Sequence, residues 1–162
     1  MTNAEFSATR QRLFLSQVDL GKIVDAVRST INDYESGYRK VPDRVEKALK
    51  ELSEWRENAL KTAIETIGGQ IKKRKKSPSA IALVWYSDPA DWLEIGEAER
   101  YFRPRQSVLA AVKKRYGDRV RLIAFNRADY LAWLGDRADS EPLRSAWALA
   151  QAGEIDPSPP II

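Results

Sequence analysis

The sequence predicts an α+β chain in two parts: an all-α N-terminal domain over residues 1–76 and a small α/β domain of strand-helix units over residues 77–162. Three observations carry this reading. Apolar residues recur at helical spacing through the first 36 positions, and a second helical stripe runs from Asp43 to Ile67. The later segments IALVWY at 81–86 and RVRLIAF at 119–125 concentrate β-branched and aromatic residues, the side chains that suit a pleated strand.

In chain order, residues Asn3 to Leu15 read as a first helix with Phe6, Leu13 and Phe14 apolar and Arg10 and Arg12 outside. Ser16 is a good N-cap, because its hydroxyl can accept from the free backbone N–H groups of a helix beginning at Gln17. Leu20, Ile23 and Val24 form the inward face of that helix. Gly21 is the small residue that lets the next helix cross closely. The turn falls at Asp25-Ala26-Val27, where the backbone needs a left-handed residue, a role Asp fills less well than Gly. A helix from Arg28 to about Ser36 follows, with Ile31 and Tyr34 inward and Arg28, Ser29, Asn32 and Asp33 outward. Gly37 supplies the stop.

After Pro42, apolar residues at Val45, Leu49, Leu52, Trp55, Ala59, Ala63 and Ile67 define one long helix. Its first turns are expected to close the N-terminal core, and Gly68-Gly69 to kink or end it. Five consecutive basic residues from Lys72 to Lys76 then lead into a Ser/Pro break. They read either as a solvated helix end favoured by the helix dipole or as a flexible arm that grips phosphates or a narrow minor groove, or that holds RNA. In the C-terminal half each predicted strand is followed by a turn and a short helical pattern, SDPADWLEIG and NRADYLAWLG. Between the strands, a helix is opened by Pro104 and closed by Gly117, with Val108, Ala111 and Val112 inward. Residues 140–151 read as a final helix, and the tail PSPPII as irregular.

Composition narrows the chemistry. The 162 residues include no Cys and no His, which excludes disulfides, thiolate metal sites and the commonest general base. No apolar run is long enough to span a membrane and no signal peptide opens the chain, so the expected location is the cytoplasm. The net charge of +4 is unevenly placed. Residues 1–76 hold 16 Lys and Arg against 11 Asp and Glu, and residues 77–162 hold 11 against 12. Basic charge thus gathers on the half that carries the paired helices, as phosphate neutralisation requires.

The segment LSQVDLGKIVDAVRSTINDYESGYRKVP, residues 15–42, resembles the Cro/cI-type (Xre) helix-turn-helix position by position. With the N-terminal NAEF, the YESGYRKVPD run, the long helix, the basic linker and a later strand-helix domain containing RQSV, the chain is similar to the YdiL-like proteins and anti-CRISPR-associated repressors. The similarity is specific for residues 3–52 and loose beyond. It implies a five-helix, lambda-repressor-like N-terminal domain whose second motif helix enters the major groove, followed by a C-terminal dimerisation domain. Gln17 would bind a phosphate, and Arg28, Ser29 and Asn32 would meet base edges: Arg can fork to guanine, Asn to adenine, Ser to either. Thr30 is grouped with them as a DNA contact. Asp33 would accept from a cytosine, repel wrong contacts, or stand as a solvated or intramolecular partner, and Tyr38, Arg39 and Lys40 would reach phosphates. The implied partners are double-stranded DNA carrying an inverted repeat and a second copy of the chain, with RNA a further possible partner. The implied role is repression of the protein's own operon, an anti-CRISPR operon in the resembled group. No cofactor is implied.

Two other classes compete. A nuclease would use carboxylates such as Asp88, Asp91, Glu94, Glu97 and Glu99 to hold Mg²⁺, but these fall on a helix-like stretch without the strand-borne acidic-plus-Lys spacing such an enzyme shows. The expectation is therefore no catalysis and no metal. An antitoxin would wrap a partner protein with its C-terminal half. Dimerisation also has an independent physical argument, since one helix-turn-helix covers too little DNA to discriminate well and two strands alone make a poor sheet. Tryptophans at 55, 85, 92, 133 and 147 read mainly as core residues.

Overall fold

In the computed structural model, residues 1–73, 80–94 and 98–153 are described. They form a mostly helical α+β chain with one two-stranded parallel sheet. Four α-helices come first: α1 (Asn3–Arg12), α2 (Gln17–Val24), α3 (Arg28–Ser36) and α4 (Asp43–Lys73). Strand β1 (Ile81–Trp85), helices α5 (Pro89–Leu93) and α6 (Phe102–Tyr116), strand β2 (Val120–Ala124), and helices α7 (Arg127–Leu134) and α8 (Glu141–Gln151) follow. No helix among the described residues is long and apolar enough to cross a membrane.

The chain gathers into two compact units, one of residues 1–59 with 100–108 and the other of the remainder, so α4 and α6 each contribute to both. The expected division at residue 76 follows the basic linker instead. In the first unit, Phe6, Leu20, Ile31, Tyr34, Val45 and Leu49 share one buried core, and Phe6 meets Tyr34 edge to face at 5.9 Å. The start of α6 also belongs to this unit. Beside it, Tyr101 stacks on Trp55 at 4.7 Å, and Arg56 Nε donates to Ser107 Oγ at 2.8 Å.

Two local expectations need correction here. Helix α1 ends at Arg12 rather than Leu15. Leu13 and Leu15 both turn into the core, which one helical face cannot achieve, so Phe14 between them takes a left-handed conformation (φ 59°) and stays exposed. Arg10, expected outside, is instead largely covered, its side chain 12% exposed.

In the second unit, β1 and β2 pair in parallel with Ile81 opposite Val120 and Trp85 opposite Ala124. A parallel pair needs a long crossover, supplied by the segment bearing α5 and α6. Trp92, Tyr130 and Trp147 are buried, and Tyr86, Phe125, Tyr130 and Trp147 pack ring to ring. Among these rings lies the buried Arg144, hydrogen-bonded to Asp139 and to the Asp91 carbonyl. Helix α4 also runs through Gly68-Gly69 instead of ending there. The reason is packing: a Cβ at Gly68 would stand 3.0 Å from the Tyr116 hydroxyl, which donates to the Ile64 carbonyl at 2.9 Å. The glycine makes room for the tyrosine. Lys72 and Lys73 close α4 as exposed residues, while 74–76 and the PSPPII tail lie outside the described residues.

Candidate nucleic-acid interface

The paired helices α2 and α3 are fixed by local chemistry at each end. Ser16 accepts from Asp19 N at 3.0 Å while Asp19 accepts from Ser16 N at 2.9 Å, a reciprocal cap that sets the start of α2. Helix α2 stops where Asp25 turns left-handed (φ 51°), the conformation its place in the turn demands. The backbone N–H groups of Asp25 and Ala26 both donate to the Gly21 carbonyl, the latter at 2.8 Å, and Arg44 satisfies the Val24 carbonyl at 2.6 Å. A Cβ on Gly21 would lie only 2.4 Å from the Ala26 carbonyl oxygen. The small residue is therefore required by the closeness of the turn. Ile31 and Tyr34 anchor α3 in the core, and Gly37 ends it at φ 81°.

On the outer side of these helices one network gathers several predicted residues. Gln17 Nε2 donates to Glu35 Oε2 at 2.7 Å and to Asn32 Oδ1 at 3.5 Å, the limit of a hydrogen bond, while its Oε1 accepts from Arg28 Nε at 3.3 Å. Glu35 is held in turn by Arg10 Nε at 2.6 Å, and Arg10 Nη1 donates to the Leu15 carbonyl at 2.6 Å. Burial works against the charge of Glu35, but hydrogen bonds from Arg10 and Gln17 outweigh it and hold its pKa below the usual carboxylate range. The sequence reading missed Arg10 and Glu35 as supports. They stand 25 positions apart and leave no local pattern.

Gln17, Arg28 and Asn32 are thus brought together, and Ser29 is exposed on the same helix. Thr30 is half-buried. Asp33 pairs with Arg39 at 3.1 Å, the intramolecular role that was among its expected readings. Tyr38, 86% exposed, and the exposed Arg39 and Lys40 follow the end of α3.

The carboxylates considered for a metal are otherwise engaged. Asp88 caps α5 by accepting from Ala90 N, Asp91 and Glu94 pair with Arg127, and Glu94 also meets Arg144. Glu99 is exposed, and Glu97 lies outside the described residues. Among the described residues, no three metal-ligating side chains are grouped to hold an ion.

A search of curated proteins finds no significant match. The family model described as Aca2/YdiL-like matches residues 1–121, which include α1 to α4, the first strand and the whole crossover to the second. By that match, the chain belongs to the Aca2/YdiL-like family.

Proposed function

We propose that the protein is a sequence-specific DNA-binding repressor, a regulator of the anti-CRISPR-associated type that acts as a homodimer on an inverted repeat and controls its own operon. The observation that supports this reading best is the outer face of α2 and α3, where Gln17, Arg28 and Asn32 converge above the Arg10–Glu35 pair. Each can exchange its intramolecular bond for one to DNA without exposing core.

In this reading α3 enters the major groove as the recognition helix of a helix-turn-helix and α2 crosses the backbone. Arg28 swings from Gln17 to fork onto a guanine edge, Asn32 meets an adenine, and Ser29 a neighbouring base. Gln17, Tyr38, Arg39 and Lys40 bind phosphates and fix register, with Thr30 at the margin. Glu35 is a positioning residue: tied to Arg10, it holds Gln17 over the groove. Asp33 orients Arg39 through their ion pair. The C-terminal half, residues 77–162, forms the interface between two copies and sets the separation of their heads. Occupancy of the promoter then blocks transcription.

Enrichment of bound duplexes from a random library, followed by gel shift and by footprinting on the DNA upstream of the gene, tests this. The reading expects an enriched palindrome that also occurs upstream of the gene. Failure to enrich any sequence would overturn it.

A further inference from the structure

Among the described residues, five helices begin on a residue whose side chain accepts a backbone N–H: Thr2, Ser16, Asp88, Asn126 and Ser140 cap α1, α2, α5, α7 and α8. Helix α3 begins on Val27, which can make no such bond although its extended backbone (φ −77°, ψ 156°) is that of an ordinary N-cap. Val is among the least favourable residues for this position. It is also 67% exposed, so burial does not explain the choice either. An apolar group placed against local stability and left in solvent, at the tip of the helix that reads DNA, calls for an apolar partner outside the chain.

The surroundings identify that partner. Val27 and Val18, itself 49% exposed, line a shallow groove of about 410 Å³ that Lys22, Asp25 and Arg28 also border, two cations against one carboxylate. An apolar spot flanked by excess positive charge and adjoining the predicted guanine-reading Arg28 matches one feature of the major groove, the 5-methyl group of thymine beside a phosphate-lined edge. We infer that Val27 is a specificity-determining residue that packs on a thymine methyl, with Val18 as the groove's second apolar wall. This rests on the DNA-binding reading above. It adds a base choice at a position no hydrogen-bonding side chain reads.

The test uses the full-length protein and the duplex it selects from a random library. Each thymine of one half-site is replaced in turn by deoxyuridine, which removes the methyl and nothing else. Binding should fall about fourfold at one thymine, the worth of one buried methyl-sized group. The Val27→Ser protein should bind the thymine and uracil duplexes equally, and it should melt at a higher temperature than the parent because serine restores the missing cap. Equal binding of every uracil duplex by the parent protein, or an undiminished thymine preference in Val27→Ser, would overturn the inference while leaving DNA binding intact. A library that yields no selected sequence would overturn the underlying reading and this inference with it.

Discussion

Replacing Gly21 with alanine probes the geometry on which the paired helices depend. Alanine ordinarily favours a helix over glycine by about 1 kcal/mol, so propensity alone predicts a more stable protein. Here the added Cβ would meet the Ala26 carbonyl oxygen at 2.4 Å. That is roughly 0.9 Å inside the ~3.3 Å at which carbon and oxygen normally touch. The oxygen belongs to the backbone and cannot rotate away. Its residue is also tethered, since Ala26 N donates to the Gly21 carbonyl at 2.8 Å. Relief requires the turn, and α3 with it, to move away from α2. Overpacking of this kind costs about 1–3 kcal/mol, which offsets the propensity gain and leaves a net loss of roughly 0–2 kcal/mol. Urea unfolding of the full-length parent and Gly21→Ala proteins measures the difference. Binding to the selected duplex should fall further than stability does, because a displaced α3 carries Arg28 and Asn32 out of register. An alanine variant as stable as the parent, with unchanged DNA affinity, would refute the account of the turn.

Other outcomes follow from the same structure. Glu35→Gln should destabilise the first unit by about 1.5–3 kcal/mol by weakening charged hydrogen bonds to Arg10, and should weaken binding to all DNA sequences alike as Gln17 loses its anchor; urea unfolding and gel shift report the two effects. Arg28→Ala should cost about 1–3 kcal/mol on the selected duplex and relax one base position, whereas Lys40→Ala should weaken every sequence equally, as competition gel shifts will distinguish. On acidification, Glu35 and Asp139 act in one direction: hydrogen bonds, from Arg10 and Gln17 in one case and chiefly from Arg144 in the other, hold their pKa values below those of the unfolded chain. The unfolded chain therefore takes up protons first, and stability present above the ordinary carboxylate range is lost as pH falls below it, a loss that Glu35→Gln should reduce in urea titrations. At the alkaline end, burial and the hydrogen bond to Asp139 push Tyr130 up to about 12, so folding stability should decline above pH 10, where the unfolded tyrosine ionises first, and Tyr130→Phe should blunt that decline.

Where a short-range rule governs, the sequence anticipates the structure closely. Ser16, Gly37, Ile31 and Tyr34 place α2 and α3 correctly because capping and helical periodicity act within four residues. The two strands are legible for the same reason, as are the short helices that follow them. What escaped depends on contacts distant in sequence. The end of α1 is set by Leu13 and Leu15 both finding the core, and the use of glycine at position 68 inside α4 by Tyr116, which lies 52 residues beyond the Ile64 carbonyl it bonds. The placement of residues 100–108 in the first unit rests on pairs such as Arg56 with Ser107, 51 positions apart. At the candidate interface, the outward residues Arg28, Ser29 and Asn32 were readable from spacing, but the Arg10–Glu35 support beneath them was not. Val27 was visible in the sequence only as part of a turn; its unusual position at an uncapped helix start requires the boundary of α3 to be known.

Footprinting of the full-length protein on its selected duplex tests the central claim most directly, because it reports DNA binding, register and pairing together. The account predicts two protected half-sites related by two-fold symmetry, their centres roughly one helical turn, about 10 base pairs, or a multiple of it apart. A single unrepeated site protected as strongly, or no protection at all, would contradict it.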